Sequence, residues 1–101
     1  MTPPYYAVIF TSTQTDQVDG YSEMADAMEA LAKEQPGYLG MDHAKEELGI
    51  TISYWETKED IARWKANLDH RQAQKMGRTQ WYESYRTRIC LVERDYQFNK
   101  H

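Results

Sequence analysis

A single histidine, His70, lies near the start of the stretch "LDHRQAQKMGRTQWYESYRTR", where acidic, basic and aromatic residues are mixed. It directly follows Asp69, and Gln72 lies three residues beyond that aspartate, a spacing typical of the beginning of a helix. In the first turn of a helix the macrodipole disfavours imidazolium, so His70 would be neutral near pH 7. A neutral imidazole can remove a proton from a phenol or an enol. We therefore consider His70 as a catalytic base; the alternative is a histidine that bridges a helix break through backbone hydrogen bonds.

Aromatic and basic side chains around this histidine could form the walls of a binding pocket. Trp64 falls on the inward stripe of the preceding predicted helix, and Trp55 is at the end of a predicted strand. Tyr82 carries a hydroxyl that could bind a phenol or quinone oxygen. Arg86 is one of two arginines that alternate along the last predicted strand, and it could orient an anionic group. The alternative is that the tryptophans are core residues and that Arg86 belongs to a surface charge pair.

The spacing of the possible ligands does not indicate a metal or a nucleotide. The three histidines, His43, His70 and His101, are far apart in sequence and lack a cysteine or carboxylate at ligand spacing. The chain has no glycine-rich phosphate loop and no dinucleotide fingerprint. We therefore expect no metal site and no bound cofactor, with a loosely held flavin or haem as the alternative.

Length, charge and composition restrict the class of protein. A chain of 101 residues is sufficient for one core, so we expect a single domain over residues 1–101. The formal net charge is -4, and acids interrupt the late basic residues, which argues against nucleic-acid binding. No apolar run reaches the length of a membrane span. The single cysteine, Cys90, cannot form an internal disulfide, which fits a cytoplasmic protein.

Hydrophobic periodicity alternates between the strand and the helix type along the chain. The stretch "YYAVIFTST" predicts a strand that is apolar on both faces, whereas residues 20–35 carry an apolar stripe with helical spacing. Thr57 followed by Asp60 resembles a capping box at the start of a second helix. The predicted elements are a strand at 5–13, a helix at 20–35, strands at 38–47 and 50–56, a helix from 57 that breaks near 69, and a strand at 85–96.

The predicted order β-α-β-β-α-β is that of the ferredoxin-like α+β fold with an antiparallel sheet. In this fold both helices cover one surface of the sheet and leave the other uncovered. Because the first strand is apolar on both faces, a second layer must cover the uncovered surface. A second copy of the chain across a two-fold axis would do so, and we therefore expect a homodimer.

Three groups of residues carry a resemblance to a known family: "SYWET…I..W", "H..AQ..GR..WY..Y..R" and "VER.Y", together with "QPGYLG" upstream. With these motifs the chain resembles the antibiotic biosynthesis monooxygenase domain family, whose members are small dimeric α/β barrels. The resemblance covers nearly the whole chain. It implies a dimeric α/β barrel, and it says more about fold than about activity.

Some members of that family resemble cofactor-independent monooxygenases that act on phenolic intermediates with O2. Applied to this chain, the resemblance implies an enzyme that oxidises an aromatic or polyphenolic small molecule. His70 would act as the base, and Trp64, Trp55, Tyr82 and Arg86 would surround the substrate. The deprotonated substrate would then pass an electron to oxygen in a pocket poor in water.

Two alternatives to this activity are open. Haem-degrading relatives use a histidine about ten residues after the tryptophan that matches Trp64, together with an asparagine on the first strand. Gln74 stands at the first of these positions, and the first strand has no asparagine, so haem binding or degradation is disfavoured. The other alternative is a barrel that binds small hydrophobic ligands without catalysis. In that case no activity would depend on His70.

Overall fold

The computed structural model describes residues 1–16, 18–69 and 81–100. It contains four strands and two helices within these ranges, in the order that the sequence predicts. In chain order they are β1 (Tyr5–Gln14), α1 (Tyr21–Lys33), β2 (Tyr38–Lys45), β3 (Gly49–Trp55), α2 (Lys58–Asp69) and β4 (Tyr82–Val92). The fold is therefore of the ferredoxin-like α+β class.

The four strands form one antiparallel sheet in the order β2-β3-β1-β4. β1 lies in its centre, which explains why this strand is apolar on both faces. Tyr6 and Val8 pack towards the helices. Ala7 and Ile9 alternate with them and lie on the opposite surface. We call these two surfaces of the sheet the helix face and the open face.

The core lies between the helix face and the two helices. Ala32 of α1, Trp55 of β3, and Ile61 and Trp64 of α2 form its buried centre. Around them pack the partly buried side chains of Tyr6, Val8, Leu31, Tyr38, Met41 and Leu68. The apolar stripes that predict the two helices are therefore the surfaces by which α1 and α2 contact the sheet.

Two tyrosine–carboxylate hydrogen bonds lie on the open face. Tyr5, only 4% exposed, donates to Asp95 over 2.5 Å, and Tyr54 donates to Asp42 over 2.8 Å. The two rings meet edge to face with centroids 6.0 Å apart. The hydrogen bond to Asp95 raises the pKa of Tyr5, and burial, with the hydrogen bond to Asp42, raises the pKa of Tyr54 to about 12. Both side chains are therefore neutral hydrogen-bond donors at physiological pH.

β4 differs from the strand predicted at 85–96 at both of its ends. It ends at Val92 because Val92 pairs with Tyr5, the first residue of β1, so later residues have no strand beside them. It begins already at Tyr82, which pairs with Gln14 at the end of β1. The length of the partner strand decides both limits, and periodicity within β4 carries no information about it.

Candidate functional site

The predicted pocket residues Trp55 and Trp64 are in contact on the helix face. Their rings stack with centroids 6.0 Å apart and planes inclined by 28°, and the ring of Tyr38 meets Trp55 edge to face at 5.7 Å. Trp55 is fully buried, and its indole nitrogen donates to the Ser53 hydroxyl over 2.9 Å. This pair is a rigid aromatic wall in which the indole N–H of Trp55 is already satisfied.

Hydrogen bonds in the first turn fix the start of α2, the helix that carries Trp64. The Thr57 hydroxyl accepts a hydrogen bond from the backbone N–H of Asp60 over 3.1 Å and donates to its carboxylate over 2.8 Å. Arg63 makes an ion pair with the same carboxylate at 2.5 Å. Burial by itself would raise the pKa of Asp60, but the bonds from Thr57 and Arg63 outweigh it, so this pKa is lowered. The capping box predicted from the sequence is therefore confirmed.

A second group of rings, which we call the aromatic cluster, consists of Phe10, Tyr21, Trp81, Tyr82 and Tyr85. The ring of Tyr82 is its centre, with centroid distances of 5.4 Å to Phe10, 5.8 Å to Tyr21 and 5.7 Å to Tyr85. The ring of Trp81 meets Tyr21 edge to face at 5.6 Å. Edge-to-face pairs of this kind place polarised ring edges against ring faces and fix the rings relative to one another.

A bulge in β4 brings Tyr82 and Tyr85 onto the same face of the sheet. Thr13 pairs with Ser84, but its neighbour Gln14 pairs with Tyr82, so β4 has one residue more than β1 at this point. Without the bulge, residues three apart on a strand would point to opposite faces. The bulge is therefore the reason that both phenols belong to the aromatic cluster.

The Tyr82 hydroxyl is a protonated donor inside this cluster. It donates to the Tyr21 oxygen over 3.4 Å. Burial, assisted by the hydrogen bond with Tyr21, raises the pKa of Tyr82 well above that of an ordinary phenol. Tyr82 therefore keeps its proton near neutral pH and cannot serve as a base, and it can donate to a ligand oxygen only by giving up its long bond to Tyr21.

Lys45 brings a positive charge to the edge of the aromatic cluster. Its ammonium lies 5.3 Å from the centroid of the Tyr21 ring and donates to the side-chain carbonyl oxygen of Gln14. The lysine reaches across β3 at Gly49, where a side chain would crowd the Ser12 hydroxyl. This bond leaves the amide nitrogen of Gln14 buried without an acceptor in the part of the chain that the structure describes.

Arg86 lies on the open face, on the other side of the sheet from Tyr82. It pairs with Thr11, and Arg88 pairs with Ile9 on the same surface. Both arginines line an open cleft of about 270 Å³ at the end of the sheet where the β2–β3 hairpin turns. Thr11, Ser12, Leu48, Ser84 and Tyr85 complete its lining. The structure thus groups Trp55, Trp64 and Tyr82 on one face and places Arg86 on the other.

The predicted base, His70, lies outside the described residues, as does Gln74. α2 is described as far as Asp69, the residue directly before the histidine. The predicted helix break at this point also lies outside those ranges. The role of His70 therefore stays a prediction.

The described residues include no group of three or more histidine, cysteine, aspartate or glutamate side chains arranged to hold a metal ion. Within the same ranges, neither helix is long and apolar enough to cross a membrane.

Several residues of the helix face are absent from the set of pocket residues that the sequence predicts. Phe10, Tyr21, Gln14 and Lys45 join Tyr82 only through the pairing of β1 with its neighbours and the start of α1. The sequence feature that could have identified Phe10 as a site residue is its position on a strand that is apolar on both faces. For Gln14 and Lys45 no local signal exists, because their contact depends on the register of three strands.

Comparison with known proteins places this arrangement in a family. The sequence profile described as antibiotic biosynthesis monooxygenase matches residues 4–76. The uncharacterized protein YqjZ of Bacillus subtilis (strain 168) is 43% identical over 100 residues, which are 97% of this chain and 88% of that protein.

Solved structures share the fold at low sequence identity. SnoaB, a cofactor-independent oxygenase from Streptomyces nogalater, superposes with a TM-score of 0.77 at 11% identity, over 92% of this chain and 97% of its own. A dimeric ferredoxin-like protein from an uncultured marine organism gives a TM-score of 0.74 at 7% identity, over 96% and 95% of the two chains. The profile match and the relative at 43% identity together show that this chain belongs to the antibiotic biosynthesis monooxygenase family.

Proposed function

We propose that the protein is a cofactor-independent monooxygenase that oxidises an aromatic or polyphenolic small molecule with O2. The observation that carries this proposal is the aromatic cluster, in which the protonated Tyr82 hydroxyl lies among four other rings. Such a surface can stack a flat substrate and hydrogen-bond its oxygen. Membership of the family and the shared fold of SnoaB, a cofactor-independent oxygenase, support the same reaction class.

The proposed reaction needs no external reductant. His70 removes a proton from a phenol or an enol, and the resulting anion transfers electrons to O2. One oxygen atom is inserted, for example where a ring CH2 becomes C=O, and the other leaves as water with the two hydrogens. All electrons come from the substrate, so neither a metal nor a flavin is required.

Three of the four predicted binding residues have a role in this proposal. Trp55 and Trp64 form the rigid wall of the helix face, and Tyr82 binds a substrate oxygen. Arg86 lies across the sheet from Tyr82, so it takes no part in binding the same substrate.

We also propose a cytoplasmic homodimer formed through the open face. Ile9 and Ile52 are half-buried and pair with each other there, without a helix above them among the described elements. A dimeric ferredoxin-like protein of the same fold and the free Cys90 support this assembly and this location. Analytical ultracentrifugation at micromolar concentration tests the assembly, and a monomer would contradict it.

Oxygen uptake by the metal-stripped protein tests the reaction. Anthrones and hydroquinones are supplied as substrates, and His70→Ala is measured beside the wild type. We expect uptake above the spontaneous rate that falls at least about a hundredfold in the variant. Uptake that is unchanged in His70→Ala would mean that the protein is an enzyme but that His70 is not its base. Ligand binding without uptake would favour a non-catalytic barrel, and a Soret shift with hemin would favour haem handling.

A further inference from the structure

One row of paired residues crosses the open face from one edge of the sheet to the other. In spatial order the row consists of Asp42 on β2, Ile52 on β3, Ile9 on β1 and Arg88 on β4. Residues that lie directly opposite each other on neighbouring strands point to the same side of the sheet, so all four side chains belong to the open face. The row therefore has a negative charge at one edge, apolar side chains in its centre and a positive charge at the other edge.

The two charged ends of this row cannot neutralise each other within one chain. Adjacent strands are about 4.8 Å apart, so three strand spacings separate Asp42 from Arg88 by roughly 14 Å. Within residues 1–16, 18–69 and 81–100, Arg88 makes no ion pair and Asp42 accepts a side-chain hydrogen bond only from Tyr54, over 2.8 Å. An ionised carboxylate accepts several hydrogen bonds, so Asp42 keeps free acceptor positions for a guanidinium group.

A second copy of the chain can satisfy both charges at once. Sheets that pack face to face commonly keep their strand directions within about 30° of each other. If the two-fold axis runs along the strands, between β1 and β3, then β4 of one copy lies over β2 of the other. Arg88 then faces the partner's Asp42, and the symmetry repeats this contact at the opposite edge. The same operation places Ile9 over the partner's Ile52 in the centre.

The alternative axis, across the strands, brings like charges together. It would put the arginines of the two copies against each other, and likewise the two aspartates, and such contacts disfavour a complex. The neighbouring row supplies no competing pair. Its ends are Ala44 on β2 and Arg86 on β4, joined through Ile50 and Thr11. With the axis along the strands, Arg86 faces the partner's Ala44, which carries no charge.

We propose that two reciprocal ion pairs, each between Asp42 of one copy and Arg88 of the other, set the orientation of the homodimer. This inference rests on the open-face homodimer proposed above and adds the residues that select its two-fold axis. The hydrogen bond from Tyr54 holds the Asp42 carboxylate before association, which reduces the ordering that the pair requires. Each chain thus supplies the counter-ion that the sheet of the other chain lacks.

Charge reversal followed by mixing tests the pairs. Arg88→Glu would set two acids against each other at both edges, and Asp42→Arg would set two arginines there. We expect each change to raise the Kd of the homodimer at least about a hundredfold in analytical ultracentrifugation. In an equimolar mixture of the two variants every introduced charge meets an opposite charge. The heterodimer, identified by its mass in native mass spectrometry, should therefore have a Kd within about tenfold of the wild type.

Three further variants separate this pairing from general charge effects and from misfolding. Arg86→Glu makes the same change in charge on the same face, one row away, and should raise the Kd at least about tenfold less than Arg88→Glu. Lys58→Glu, on the exposed start of α2, should leave the Kd within about twofold of the wild type. Asp42→Asn keeps an acceptor for Tyr54 and should weaken the dimer about tenfold. Heterodimer formation on mixing shows in addition that both reversed chains are folded.

Two results would overturn the ion pairs and leave the homodimer in place. One is a wild-type Kd in both charge-reversed variants, and the other is a mixture that forms no heterodimer although the wild type is dimeric. A wild type that is a monomer at micromolar concentration would contradict the homodimer and the ion pairs together. None of these measurements depends on whether the protein is an oxygenase.

Discussion

The indole of Trp64 on α2 stacks on the indole of Trp55 at the end of β3, at a centroid distance of 6.0 Å. Trp55 is fully buried and Trp64 is 8% exposed. A stacked pair between a helix and a strand fixes their relative position, because large rings have few alternative packings. The orientation of α2 relative to β3 therefore depends on this contact.

Removing the ring of Trp64 should destabilise the protein strongly. We expect Trp64→Ala to lower the free energy of unfolding by about 3–5 kcal/mol, since it leaves a cavity in the core. Trp64→Phe keeps an aromatic ring and should cost about 1–3 kcal/mol. Tyr96→Ala, at a residue that is 86% exposed, serves as the control and should change little. Urea denaturation measures all three, and a loss below about 1 kcal/mol in Trp64→Ala would contradict the assignment to the core.

The carboxylate of Asp60 should stabilise the fold in a pH-dependent way. Its pKa is lowered in the folded protein, so its contribution is complete above the unfolded value of about 3.9. The contribution is lost as the pH falls below that value through the lower folded pKa. We therefore expect Asp60→Asn to be less stable than the wild type at pH 7 and the gap to narrow towards pH 3. A gap that widens in acid, in urea titrations at each pH, would show the opposite sign.

The hydroxyl that caps α2 allows a separate test at the same helix end. Thr57→Ala removes the acceptor of the Asp60 N–H and should cost about 1 kcal/mol. Thr57→Ser keeps the hydroxyl and should cost less than half of that. Equal losses in the two variants would mean that the methyl group, rather than the capping bond, is responsible.

Replacement by alanine should be costly at one glycine and nearly neutral at another. Gly37 has a φ of 81°, and a Cβ added there would overlap the Asp60 carboxylate, so Gly37→Ala should cost at least about 2 kcal/mol. Gly40, the matched control, has room for a Cβ, whose nearest contact would be Tyr54 at 3.8 Å. Gly40→Ala should change the free energy of unfolding by less than about 0.5 kcal/mol. Thermal or urea unfolding compares the pair, and similar losses would refute the role of Gly37.

Stability should fall at alkaline pH as Tyr54 on the open face loses its proton. Because the folded pKa is raised to about 12, the neutral phenol contributes stability that is present below about pH 10. That contribution disappears as the pH rises through 12. Tyr54→Phe should therefore lose less stability than the wild type between pH 10 and 12, and the tyrosine absorbance titration should lack a step near pH 12. An unchanged titration curve in Tyr54→Phe would show that another phenol is responsible.

The donor hydroxyl of Tyr82 should matter for turnover, if the protein is an oxygenase. We expect Tyr82→Phe to lower kcat/KM for oxygen uptake about tenfold, which corresponds to the loss of one hydrogen bond. Tyr85→Phe is the matched control, since its ring belongs to the same cluster and its hydroxyl has no hydrogen-bond partner among the described residues. Equal effects of the two variants would assign the cluster a purely structural role.

Local patterns in the sequence were sufficient to predict the strands and helices and their order along the chain. β1 is apolar on both faces, and it lies in the centre of the sheet for that reason. The Thr57–Asp60 spacing predicts a capping box, which α2 has at its start. These features depend on residues that are close together in the chain, so the sequence alone determines them.

The composition of the site depended on the tertiary structure. The sequence predicts Tyr82 and Arg86 as parts of one pocket, but β4 directs them to opposite faces of the sheet. The bulge opposite Gln14 decides this, because one additional residue reverses the facing of every residue that precedes it on β4. Strand periodicity shows that a strand has two faces. Only its pairing with β1, about 70 residues away in the chain, determines which face meets the helices.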